Sequence, residues 1–190
     1  MGLDGYDYAF KSYSIDAKGL RTDTYTIRAT IINQTYILEV LHLEHNIYVL
    51  QFYLKNHRHS ANRFSLLLPE QITKSSRHVF YLLNTIVNLS SKLYLSNSLA
   101  SFGFMGAPTT RENNFKKNSQ NINPDKTVRN TKRYRVYTLY VRRYFSPNDF
   151  SHVSFKDSSC FLLMNNRNSF LNKRIADDYL NNLIEEKVNL

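Results

Sequence analysis

Between Thr24 and Leu54 the chain carries three segments of one kind: YTIRATII, YILEVLHL and HNIYVLQFYL. Each is rich in β-branched and aromatic side chains. Such side chains lose rotamer freedom in a helix and pack well on a pleated surface. The polar LEHN before the third segment supplies a turn. Residues 36–54 therefore read as a β-hairpin, with 45–54 as the strongest strand. A chain that opens this way is committed to an antiparallel sheet.

The period then changes. After the basic loop KNHRHSANR at 55–63, FSLLLP at 64–69 reads as a short buried strand stopped by Pro69. Val79, Leu82, Leu83, Ile86 and Val87 then recur at helical spacing, which predicts a helix from about Ile72 to Leu89. LASFGFMGAP at 99–108 reads as a buried strand, and residues 109–129 as a long polar loop. In NTKRYRVYTLYVRRYF at 130–145, Tyr134, Tyr137, Tyr140, Val141, Tyr144 and Phe145 form one helical stripe. SSCFLLM at 158–164 predicts a further strand, and 174–188 an amphipathic helix. Residues 1–23 read as an irregular arm or a short edge strand. The expectation is one α+β domain over 1–190. It has a mixed, mainly antiparallel sheet with helices packed on it. Strands near 46–54 and 64–68 are expected as antiparallel neighbours, with 100–106 parallel beside the latter.

Charge narrows the function. The formal net charge is +10. That favours a nucleic acid, an anionic membrane surface or a phosphorylated cofactor as partner. The lone cysteine, Cys160, excludes an intrachain disulfide and suits a reducing compartment. It lies in an apolar strand and reads as a small buried hydrophobe. MGLDGYDYAF has no secretory pattern, and Tyr6 stands where a myristoylation signal needs Ser or Thr. No apolar run approaches the roughly 20 residues of a membrane helix. The expected location is cytoplasmic. His42 and His45, with His57 and His59, fall in expected turns without a completing Cys or carboxylate cluster, so no metal is expected.

Two junctions could meet a phosphate. In LLLPEQITKSSRHVF a strand runs into a helix through Gln71 to Ser76, with Lys74, Arg77 and His78 adding positive charge. In the 130–145 helix, Lys132, Arg133 and Arg135 crowd the first turns, where cations oppose the helix dipole unless an anion binds. Together these features resemble the Gcn5-related N-acetyltransferases. In that family a strand enters a Q/R-x-x-G-x-G/A turn that cradles the cofactor pyrophosphate. A helix and a splayed strand follow. A later helix opens with Asn and carries a Tyr about two turns on. QITKSS and NTKRYRVY stand in these two places, and Asn130 and Tyr137 have the family spacing. The resemblance implies acetyl-CoA as cofactor, with the pyrophosphate on Gln71, Lys74, Ser75 and Ser76. Asn130 would fix the cofactor arm, Tyr137 would protonate the departing thiolate, and an amine would accept the acyl group. Glu39 is a candidate base only by its place on a strand. Lys74 and Ser76 replace the family's small residues, Arg133 replaces the small residue after Asn130, and no acceptor-binding helices are visible in 1–35. The chain also resembles, loosely, short uncharacterised bacterial α+β proteins, which implies no function.

A second reading is a basic nucleic-acid-binding protein, using Arg58, Arg63, Lys116, Lys117, Lys132, Arg133 and Arg135. A third is a non-catalytic partner-binding protein on the same fold.

Overall fold

The computed structural model describes residues 2–60, 63–64, 76–107, 128–156 and 158–178. The chain divides into two compact units, Met1–Ala100 and Ser101–Leu190. Its class is α+β, with seven strands and three helical segments among the described residues.

The first unit is a four-stranded antiparallel meander in the order β1 (Tyr8–Ile15), β2 (Arg21–Ala29), β3 (Gln34–Leu43), β4 (Ile47–Leu54). The expected hairpin is present: Tyr36 faces Leu54 and Leu43 faces Ile47 across β3 and β4. Of the two expectations for residues 1–23, the edge strand is present as β1, which pairs with β2 from Tyr8↔Ile27 to Ile15↔Arg21, and an irregular arm is confined to the residues ahead of Tyr8. A bulge between Phe10 and Ser12 changes the parity of β1. Phe10 and Tyr13 thereby share one face although they are three positions apart. β1 is the outer strand, and Phe10, Tyr13 and Ile15 are all more than half exposed.

α1 (Ser76–Ser96) closes the first unit. It runs seven residues past the expected end at Leu89. Polar Ser90 sits inside the helix because its hydroxyl donates back to the Ile86 carbonyl at 3.0 Å. Leu82, Leu83, Ile86 and Leu89 are buried. The N-terminal arm is strapped along α1 by side chains of the helix. Asn88 bonds both the N–H and the carbonyl of Leu3, at 2.8 and 2.7 Å. Asn84 donates to the Asp4 carbonyl, and the Thr85 hydroxyl accepts from the Tyr6 N–H at 2.7 Å. Gly5 permits this approach, since a Cβ there would lie 2.9 Å from the Thr85 nitrogen.

The second unit orders its strands β5 (Ser101–Met105), β7 (Cys160–Asn165), β6 (Phe150–Phe155), all pairings antiparallel. β5 and β7 are the expected buried strands. β6 was not expected, because FSHVSF mixes Ser and His with its apolar residues and carries one β-branched side chain. Pairing from Phe150↔Asn165 to Phe155↔Cys160 supplies what local propensity lacks. Between β5 and β6 the chain forms α2 (Lys132–Tyr144), and residues 173–178 are helical. Residues 65–69 of the expected strand, 109–127 of the expected loop and most of the helix expected over 174–188 lie outside the described residues. Among the described residues no helix is long and apolar enough to cross a membrane.

Candidate functional site

The start of α2 is the most constrained junction of the second unit. Asn130 has φ 54°, a left-handed conformation that Asn tolerates better than most residues. Its N–H donates to the Lys156 carbonyl and its carbonyl accepts from the Arg135 guanidinium, both at 3.0 Å. Thr131 then caps the helix, its hydroxyl accepting the Tyr134 N–H at 3.2 Å and donating to the Gly106 carbonyl at 2.6 Å. Ser159, itself left-handed at φ 56°, accepts the Thr131 N–H at 2.9 Å and donates to the Val128 carbonyl at 2.7 Å. Gly106 makes the junction tight, because a Cβ there would lie 2.6 Å from the Tyr134 nitrogen. The Tyr134 hydroxyl is hydrogen-bonded to Ser154. The backbone of Asn130 is thus held on both sides. Its side-chain amide has no hydrogen-bond partner among the described residues.

Tyr137 lies on the same side of α2 as buried Tyr134 and Val141. Its side chain keeps partial exposure, yet burial pushes the hydroxyl pKa up, opposed by the Arg133 guanidinium. Like any tyrosine it is protonated near neutral pH, and the shift moves it further in that direction. Lys132 and Arg135 are exposed and Arg133 is half-buried. No acidic residue lies in the first turn of α2. The structure brings Asn130, Lys132, Arg133, Arg135 and Tyr137 together on one helix and its approach.

The remaining candidates fall elsewhere. Gln71, Lys74, Ser75, Lys116 and Lys117 lie outside the described residues, and Ser76 begins α1. Arg58 is exposed, while the Arg63 guanidinium lies over Tyr53 and Phe64, at 5.1 and 4.7 Å from the ring centres. Glu39 is half-buried in β3 and accepts from Gln51 and from the Tyr53 hydroxyl, each at 2.8 Å. Burial and the Glu39 hydrogen bond push Tyr53 up to about 12. His42 is a correction: it belongs to β3, which runs to Leu43, rather than to a turn. His45 has φ 53° in the tight turn that follows, and His57 ends another. No group of three metal-ligating side chains occurs among the described residues. A pocket between β2 and β3 is lined by Arg28, Ala29, Thr30, Asn33, Gln34 and Thr35, with no carboxylate, histidine or thiol among them.

Two polar clusters were not expected. His78 is 3% exposed and its two ring nitrogens bond two tyrosines. Tyr6 Oη lies 2.8 Å from Nδ1 and Tyr36 Oη 3.1 Å from Nε2. Burial lowers the His78 pKa and pushes Tyr6 up to about 12. The second cluster is the buried Asp23 carboxylate, bonded by Arg21 Nε at 2.8 Å and His42 Nε2 at 3.0 Å. Arg21 and Asp23 are two apart on one strand, a spacing that puts them on one face and is visible in RTD. Nothing local in the sequence pairs Tyr6 with His78. No family model, curated protein or solved structure matches the chain.

Proposed function

We propose that this is an acetyltransferase-like protein that binds acyl-CoA and transfers the acyl group to an amine. The observation that carries the reading is the placement of Tyr137. It is a partly exposed phenol, seven residues after Asn130, on the helix that follows β5. The chain order supports it as well: strand β4, helix α1, strand β5, then the helix with the Asn and Tyr. In this reading the amine attacks the thioester carbonyl, the C–S bond breaks, and the departing thiolate takes the Tyr137 proton. The attacking nitrogen loses its extra proton to solvent or to a base. Asn130, with its backbone fixed and its amide unspent, holds the cofactor arm. General acid assistance of this kind is worth about 10²–10⁴ in rate.

Calorimetric titration with CoA and acetyl-CoA, followed by a free-thiol assay with a panel of amines, tests it. Saturation at one ligand per chain is expected. Tyr137→Phe should slow thiol release at least about tenfold while leaving the melting temperature nearly unchanged. Lys74→Gly should tighten CoA binding by restoring a small residue to the turn. A folded protein that binds no CoA would leave the non-catalytic partner-binding reading in place. Unchanged turnover in Tyr137→Phe would remove the residue from the chemistry.

A further inference from the structure

The described residues of the second unit hold ten Lys or Arg against three Asp, while those of the first hold nine against six. The excess is concentrated on α2, which carries five cations and no acidic residue in KRYRVYTLYVRRY. Helical spacing puts Lys132, Arg135, Leu139, Arg142 and Arg143 within one stripe about 100° wide. All five are exposed, Leu139 at 69%. The stripe runs about 16 Å at 1.5 Å per residue. Exposed Lys156 extends the positive charge past the N-terminal end, since its carbonyl holds the Asn130 N–H. Arg135, Arg142 and Arg143 have no carboxylate at ion-pair distance among the described residues. A helix that exposes Arg135, Arg142 and Arg143 with no acidic residue of its own tolerates mutual repulsion, and an anionic partner relieves it.

We propose that this outward face of α2 docks on the phosphate backbone of double-stranded nucleic acid. The composition of the stripe decides among anionic partners. Its single apolar residue, Leu139, is too little to embed in a bilayer, where an interfacial helix needs a continuous apolar face. It has no ring on its outward line to stack an unpaired base. Tyr140 and Tyr144 stand on its flank, half-buried and packed on each other with centroids 5.2 Å apart. Cations alone in a row read charge density, and a duplex presents one phosphate charge per 1.7 Å of axis or so. The contact is therefore sequence-independent.

The test is fluorescence anisotropy with a labelled duplex of about 20 base pairs, between roughly 50 and 200 mM salt. Four neutralised phosphates give a slope of log affinity against log salt of about −3.6. R135Q/R142Q/R143Q should flatten that slope to about −1 and weaken binding at low salt by at least tenfold or so. R135K/R142K/R143K should restore both. The single change L139E, on an exposed side chain that cannot disturb the core, should weaken binding several-fold and serves where the triple variant fails to fold. K11Q/K18Q/K92Q removes the same charge from the first unit and should leave the slope unchanged, as should Tyr137→Phe. Equal loss in the first-unit variant, wild-type binding by R135Q/R142Q/R143Q, or tighter binding to a single strand, to phosphatidylserine vesicles or to polyglutamate would each overturn the proposal. Because the probe contains no CoA, its outcome is independent of acyl-CoA binding.

Discussion

His78 carries a pH dependence of definite sign. It is buried between the hydroxyls of Tyr6 and Tyr36, and burial lowers its pKa from the ordinary 6.5. The folded state therefore resists protonation in a range where the unfolded chain accepts a proton. Its contribution is present above about pH 6.5 and is lost as pH falls from there toward the folded value. His152, also lowered by burial, adds the same sign. Urea unfolding between pH 5 and 8 should show stability rising with pH, and His78→Leu should reduce the slope. The substitution should also cost about 1–3 kcal/mol at neutral pH, since it leaves two buried tyrosine hydroxyls without their partner. A variant as stable as the parent, with the same pH slope, would contradict the assignment.

The elements differ in how far local sequence determines them. β3 and β4 were legible because dense β-branched and aromatic runs flank a polar turn, and α2 because its aromatic stripe has a clear period. β6 was illegible because its conformation comes from β7 beside it. The parity change in β1 was equally hidden: only the partner strand reveals that Lys11 is the extra residue. Of the candidate site, the Asn130 to Tyr137 spacing was readable. The junction of Thr131, Gly106 and Ser159 was not, since Gly106 and Ser159 stand 25 and 28 residues from Thr131, on opposite sides of it in the chain. The bulge leads to an experiment on the element itself. Deleting Lys11 would leave Phe10, Ser12 and Tyr13 in ordinary alternation opposite Tyr25, Thr24 and Asp23. The pairing with β2 should survive, with circular dichroism unchanged. The outer edge, flatter and without its charge, should associate, since bulges and lysines are what keep such edges apart. Size-exclusion chromatography over a concentration series should show larger species for the deletion variant only.

At the scale of the whole molecule, each unit has a largely buried strand with a partner on either side. β3 is paired on both sides by β2 and β4, and β7 by β5 and β6. The cations gather in the second unit, so repulsion weighs most on the half organised around β7. Cys160 sits at the start of that strand, 1% exposed, and it is the sole thiol of the chain. It is therefore a built-in clock. A thiol-specific reagent cannot reach it until β7 parts from its neighbours there, so labelling speed counts openings that free this end of β7. Labelling of the native protein should be far slower than of the urea-unfolded chain. It should quicken with mild denaturant before the optical unfolding signal moves if that half opens alone, and in step with it if the chain opens as one.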